Sequence, residues 1–193
     1  MLAGSGTAIA KVVIVWRTMA FKFKNLDPEL RQLMLTEVEL DISNDSLYIS
    51  KRFTPRGQAA YPGFLKEAVV NGTEASFGIV ISKRGLINKE EMRHSNNKVI
   101  TLRIPGDAGT SLAKGEFNRF YMRAVLVKAM AENLEVEIYR AQEVARARTE
   151  SHLIIGKKVN SSELLENLRS KMGVDTALGL PKGPNSGLSI KLV

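Results

Sequence analysis

The sequence predicts an α+β fold, a single domain over residues 19–193 in which a small mixed sheet packs with about four helices. Two patterns support this class. Residues 112–132 are apolar nearly all round a helical wheel, which is typical of a long, buried central helix. Residues 99–105 and 134–140 alternate apolar with polar side chains, as half-buried strands do. No internal repeat and no linker divides the chain.

The first helix is predicted to begin at Pro28 and to end near Ile42. Asp27 can cap its free amides, and Pro28 suits the first helical position, where a missing N–H costs nothing. Residues 47–50 then predict a short strand or an extended link. Residues 53–63 are rich in glycine and proline and predict a turn-rich connection.

The next segments are predicted from local composition. Residues 64–72 predict a short helix that an Asn-Gly pair closes. Residues 74–82 are ambiguous, but their β-branched residues favour a strand over a helix. Residues 83–98 predict a polar, basic loop, and the half-buried strand at residues 99–105 ends at a proline.

The second half of the chain carries stronger patterns. The central helix is predicted to begin between Thr110 and Leu112 and to end at Glu132, directly before the strand at residues 134–140. A further short strand is predicted within residues 152–159.

The C-terminal region is predicted to hold one more helix and an ordered tail. Asn160, followed three residues later by Glu163, resembles a capping box, and the helix that it starts ends at Gly173. The tail is rich in loops, and its last apolar segment, residues 188–192, is expected to pack onto the domain. Its glycines and Lys182 do not have the spacing of a phosphate-binding loop.

Residues 1–18 are predicted to be an N-terminal extension, either β-like or translated upstream of a second start at Met19. Their apolar part is interrupted by Lys11 and is far shorter than the ~20 residues that a spanning helix needs. Arg17 and Thr18 follow it, where a secretory signal would end in small residues. We therefore expect no membrane partner and a cytoplasmic location, with which the absence of cysteine also agrees.

The composition favours an anionic partner and excludes several chemistries. The formal charge is +8, from 28 basic and 20 acidic residues, and basic groups placed on phosphates release counterions. The lack of cysteine excludes disulfides, thiolate metal sites and cysteine nucleophiles. Two histidines, His94 and His152, are too few for a histidine-rich metal site, and no nucleophile-elbow motif occurs. We predict no catalytic residue, no metal ligand and no cofactor.

A narrow charged strip interrupts the apolar surface of the central helix. Glu116, Arg119 and Arg123 stand at i, i+3 and i+7, so they are neighbours on one side of the helix. One interpretation is structural, with Glu116 paired to Arg119 in a buried polar network. The other is that Arg119 and Arg123 present bidentate forks to phosphate, with Phe117 or Tyr121 close by for stacking.

The predicted basic loop supplies the other candidate phosphate contacts. Lys83, Arg84 and Arg93 lie in it, together with Lys89 and Lys98, and loop cations reach phosphates as point charges. A solvated loop is the alternative. Two smaller basic clusters occur elsewhere in the chain, and their members are Lys51, Arg52 and Arg56 in one and Arg146, Arg148, Lys157 and Lys158 in the other.

Three functional hypotheses follow. The first is a non-enzymatic basic protein that contacts nucleic acid or acts in a nucleoprotein or phage-type assembly. The second is a structural or protein-interaction subunit that forms a homo-oligomer, in which the tail and the N-terminal apolar segment add strands to neighbours. The third is a metal-dependent nuclease that uses Glu116, Glu135 and Glu137. Alternating glutamates on a strand more often mark its solvated side, which argues against the third.

Three motifs in the C-terminal half resemble those of a group of bacterial proteins. They are "EFNRFY", "YRAQEV" and "DTALGLPKGPNSGLS", and the resemblance covers about half of the chain. It implies a bacterial or phage-related origin, and it implies no activity, cofactor or site.

Overall fold

The computed structural model describes residues 20–83, 85–95, 98–182 and 185–193 of the chain. The predicted extension at residues 1–18 lies outside this described part. Within it the chain has the α+β fold that the sequence predicts, with seven helices and four strands. In chain order the elements are α1 (Pro28–Ser43), α2 (Pro55–Asn71), α3 (Glu74–Lys83), β1 (Glu90–Ser95), β2 (Lys98–Arg103), α4 (Ala108–Glu132), β3 (Val136–Arg140), α5 (Thr149–His152), α6 (Ser161–Ser170), α7 (Val174–Ala177) and β4 (Leu188–Leu192).

Helix α4 is the centre of the fold, as its apolar circumference predicts. Every residue from Glu116 to Leu126 is buried, and the helix packs against α1, α3, α6 and β4. One hydrophobic cluster joins residues from α1 through to β4, so the described chain forms a single domain. Among the described helices, none is both long enough and apolar enough to cross a bilayer.

The strands form two separate antiparallel pairs, where the sequence predicts one small mixed sheet. β1 and β2 form a hairpin, and β3 pairs with β4, which brings the C-terminal tail back onto the core. The tail therefore packs onto the domain as predicted. The strand predicted within residues 152–159 is reduced to an isolated bridge between Glu137 and Lys158 on the other edge of β3.

Two helix starts confirm the local signals in the sequence. The side chain of Asp27 accepts a hydrogen bond from the N–H of Leu30 at 2.8 Å, and Pro28 is the first residue of α1. The side chain of Asn160 accepts one from the N–H of Glu163 at 3.1 Å at the start of α6. These caps depend only on neighbouring residues, which is why the sequence predicts them.

The strand predicted at residues 74–82 is wrong, because this segment is helix α3. Its buried residues, Glu74, Phe77, Gly78 and Ile81, have helical spacing and contact α4. The β-branched residues that favour a strand lie within this helix, and packing against α4 overrides their preference for a strand.

The turn predicted at residues 53–63 is also wrong, because α2 runs without a break from Pro55 to Asn71. Thr54 caps it, and Pro62 lies inside it at the cost of one backbone hydrogen bond. Tyr61 and Leu65, which lie one turn apart next to this proline, are both fully buried. The burial of this face outweighs the breaking tendency of Pro62. For residues 47–50 the sequence predicts a strand or an extended link, and no strand forms there.

Gly57 lets α2 approach the chain that enters β1. A Cβ added at Gly57 would lie 2.2 Å from the carbonyl oxygen of Leu86, so the Gly57→Ala variant must move one backbone segment. We expect it to destabilise the protein by about 1–3 kcal/mol. Gly63 lies in the same helix with nothing within 4 Å of its added Cβ. The matched Gly63→Ala variant should therefore stabilise the protein by about 0.5–1 kcal/mol.

Urea denaturation followed by circular dichroism measures both changes. Equal effects of the two substitutions would contradict the close contact between Gly57 and Leu86.

Candidate nucleic-acid interface

The β1–β2 hairpin, which we call the arm, projects from the fold. All six residues of β2 are exposed, where the sequence predicts a half-buried strand. Met92 on β1 and Val99 on β2 are 75% and 57% exposed. Of the other described elements, none makes more than marginal contact with the arm. A lone two-stranded hairpin is only marginally stable in water, so the arm is an element suited to a partner.

The arm is held to the fold at its base. The N–H of Asn88 donates to the carbonyl oxygen of Arg52 at 2.8 Å. The side-chain amide of Asn88 donates to the carbonyl oxygen of Phe53 at 3.1 Å. The N–H of Ile104 donates to the carbonyl oxygen of Lys89 at 2.9 Å. These bonds fix where the arm leaves the domain.

The fold brings two basic clusters of the sequence together at this point. The segment carrying Lys51 and Arg56 lies against residues 86–88, between the end of α3 and the start of β1. Four exposed cations surround this junction, which we call the arm base, and they are Lys51, Arg56, Lys83 and Lys89. Within the described residues none of the four takes part in an ion pair.

The arm itself adds further positive charge. Lys98 and Arg103 are exposed at the two ends of β2, and Arg93 is exposed on β1. Arg93 donates to Glu91 at 2.8 Å, so its charge is partly offset, while its side chain is still 60% exposed. The arm adjoins the arm base at Lys89, and among their described residues only Glu90 and Glu91 are acidic, so the two together are rich in positive charge.

Glu91 links the arm to the arm base as a carboxylate. Arg52 donates two hydrogen bonds to it, at 2.9 and 3.0 Å, and these bonds, with those of Arg93, lower the pKa of Glu91 from 4.5 to about 2. Because the folded pKa is lowered, the link is complete above pH 4.5 and is lost as the pH falls towards 2.

We expect a carboxyl titration of Glu91 by NMR to have its midpoint near pH 2. In the Arg52→Gln variant the main cause of the shift is removed, so the midpoint should move back towards the ordinary value of 4.5. A midpoint near 4.5 in the unsubstituted protein would contradict the geometry of this link.

The fold places some of the predicted phosphate contacts at the surface and others in the core. Lys83 and Arg93 are exposed, at the arm base and on the arm, and Arg84 lies outside the described residues. Arg119 and Arg123 are 2% and 0% exposed, inside the core. Neither guanidinium reaches the surface, so the structural interpretation of the α4 strip replaces phosphate contact for these two residues.

The buried arginines are neutralised by acids of the domain. Arg123 donates to Glu37 at 2.8 Å and forms a bidentate pair with Asp41 at 2.7 and 2.8 Å. Arg119 donates to Glu116 at 2.8 Å, the pairing that the sequence predicts. Both guanidinium groups also lie 4.9 Å from the ring centroid of Phe120. These contacts make the strip a structural network.

Burial and pairing shift the pKa values of this network in opposite directions. Burial raises the pKa of Glu116, and the charge of Arg119 offsets this only in part. Burial also opposes ionisation of Glu37, but hydrogen bonds and charges of Arg169 and Arg123 outweigh it and lower the pKa of Glu37. Glu37 therefore stays ionised beside Arg123, and this buried guanidinium is neutralised inside the core.

The acids named for a metal-dependent nuclease are not brought together. Glu116 is buried beside Arg119, whereas Glu135 and Glu137 pair with Lys158 and Lys191 on the β3 side. Across the described chain, no group of three or more histidine or acidic side chains is placed to hold a metal ion.

Comparison of the chain with protein-family models, with curated proteins and with solved structures gives no match. The candidate interface therefore rests on the geometry and charge of the arm.

Sequence reasoning missed the arm because the first strand has few apolar residues. Residues 90–95 carry mainly charged and polar side chains, so they predict a loop. One signal could have found the hairpin. Asn96-Asn97 separates this segment from the alternating residues 98–103, and asparagine tolerates the positive φ that a two-residue hairpin turn requires.

Proposed function

We propose that this protein binds nucleic acid through the arm and the arm base, as a non-enzymatic component of a nucleoprotein or phage-type assembly. One observation supports the proposal above the others. The arm, which the other described elements barely contact, adjoins the four cations of the arm base, which form no ion pair with the part of the chain that the structure describes. The cations of the core, by contrast, are neutralised internally.

The chemistry of this region favours contact with the phosphate backbone. Its cations are lysines and arginines on exposed loops, helix ends and strands, which reach phosphates without reading base edges. Each phosphate contact releases counterions, so affinity must fall steeply with salt. The exposed apolar residues Met92 and Val99 belong to the same arm as these cations and can contact sugars or bases.

Fluorescence anisotropy with random-sequence single and double strands of DNA and RNA tests the proposal. With about four phosphate contacts, affinity for the preferred nucleic acid should fall on the order of 100-fold between roughly 50 and 200 mM salt. Lack of binding below roughly 50 mM salt would end the proposal.

A matched pair of variants separates the arm from general charge. The Lys83→Gln/Lys98→Gln variant removes one cation from the arm base and one from the arm, and it should lower the salt slope by about 2. The Arg146→Gln/Lys157→Gln variant removes the same charge elsewhere and should leave the slope nearly unchanged. Equal losses in the two variants would mean a general cationic surface and would contradict binding by the arm.

A further inference from the structure

Strand β2 has one backbone edge that is unpaired within the described chain. The bond from Ile104 to the carbonyl oxygen of Lys89 shows which residues of the hairpin exchange hydrogen bonds. By alternation, the N–H and C=O groups of Val99, Thr101 and Arg103 point away from β1. Since all of β2 is exposed, this edge is open to a further strand.

The outer edge of β1 is less suited to pairing. The backbone of Arg52 lies beside its entry at Asn88, and Arg52 also holds Glu91. β1 begins with two glutamates, and charged residues discourage strand addition. Residues 99–102 of β2 read Val-Ile-Thr-Leu, a run that favours an extended strand. The occupant that this edge fits is thus an extended strand whose central residues are uncharged.

We propose that two copies of this protein pair through their β2 strands, antiparallel and about a two-fold axis at Thr101, to form a continuous four-stranded sheet. In this register Ile100 of each copy lies opposite Leu102 of the other, and Val99 lies opposite Arg103. Apolar side chains that are exposed in the single chain then meet across the axis, and no two basic residues face each other.

The ends of β2 select this register. If one β2 strand were shifted by two residues along the other, Val99 would lie opposite Pro105, which has no N–H to donate. The same shift in the other direction would set Arg103 opposite residue 97, which precedes β2. Only the register centred on Thr101 keeps all three outward-pointing residues of both copies opposite one another within the strand.

The pairing should be weak and should not depend on nucleic acid. A contact between two six-residue strands buries less than the roughly 1,000 Å² of a stable interface, so exchange between one and two chains is expected at micromolar concentrations or above. A paired molecule carries two arm bases, which would strengthen binding to one long nucleic acid without any new contact.

Because the chain contains no cysteine, single cysteines can report the register. In the paired form the two copies of residue 101 lie ~5.5 Å apart, within the range of a disulfide. The Thr101→Cys variant should form a linked dimer several-fold faster than Val99→Cys, whose two copies lie ~13 Å apart along the strands. Linkage that is absent, equal in both variants, or fastest in Ile100→Cys would overturn the proposed register.

Two proline variants test the edge itself. Thr101→Pro removes an N–H from the free edge of β2, and Met92→Pro removes the corresponding outward N–H on β1, since the two residues are opposite each other. By light scattering without nucleic acid, the unsubstituted mass should rise with concentration from 21.3 kDa towards twice that value. The mass of the Met92→Pro variant should rise in the same way as that of the unsubstituted protein. The mass of the Thr101→Pro variant should stay at that of a monomer.

A strictly monomeric unsubstituted protein, or dimerisation that survives Thr101→Pro or is lost in Met92→Pro, would overturn pairing by β2. Those outcomes leave nucleic-acid binding by a single chain intact, because the anisotropy assay measures it separately.

Discussion

The Arg123→Ala variant should lose about 3–5 kcal/mol of stability, the largest effect that we expect from a single substitution. Arg123 is fully buried and holds two buried carboxylates, those of Glu37 and Asp41. Its removal leaves Glu37 with Arg169 and Asp41 with Arg119 at 3.7 Å, so the desolvation of these two acids is less fully offset. Urea denaturation followed by circular dichroism measures the loss.

Arg169 provides the matched control, since it donates to the same carboxylate from the protein surface. It donates to Glu37 at 2.5 and 3.1 Å, but its side chain is 40% exposed. The Arg169→Ala variant leaves Glu37 paired with Arg123, and water screens the lost contact, so we expect a loss of about 1 kcal/mol. Similar losses in the two variants would mean that burial does not set the strength of this network.

The Gly187→Ala variant should lose about 2–5 kcal/mol, because it combines backbone strain with a collision. Gly187 has a φ of +70°, and its added Cβ would lie 2.1 Å from the carbonyl oxygen of Gln142. Its own carbonyl oxygen accepts from the N–H groups of Ala141 and Gln142 at 2.8 and 3.0 Å, so the backbone cannot move away freely. The strain falls at the entry to β4, and the same denaturation measurement detects it.

Gly179 separates the two causes. Its φ is +78°, but nothing lies within 4 Å of its added Cβ. The Gly179→Ala variant carries the backbone strain alone, so we expect a loss of about 1–2 kcal/mol. If Gly187→Ala cost no more than Gly179→Ala, the close approach of the tail to Gln142 would be contradicted.

The elements that the sequence predicts well are those fixed by neighbouring residues. The cap of Asp27, the start of α6 at Asn160 and the largely apolar surface of α4 are all visible in short windows of sequence. The elements that it misses are fixed by contacts from elsewhere. Helix α3 forms because Gly78 and Ile81 pack on α4, against the preference of its own β-branched residues.

The same distinction between local and distant contacts applies to the charged residues. The sequence correctly pairs Arg119 with Glu116, three residues away, but the acids that neutralise Arg123 lie 86 and 82 residues earlier in the chain. No local pattern connects them. The meeting of Lys51 with the arm base is equally invisible, because it depends on the hydrogen bond between Asn88 and Arg52.

The sequence by itself determined the excess of positive charge, the absence of thiol chemistry and the buried central helix. The tertiary structure decided which cations are free. An ion pair depends on the distance between two groups that the chain brings together from far apart, and that distance cannot be read along the sequence. The arginines of α4 are therefore buried and paired with acids in the core, and the cations around the arm remain at the surface.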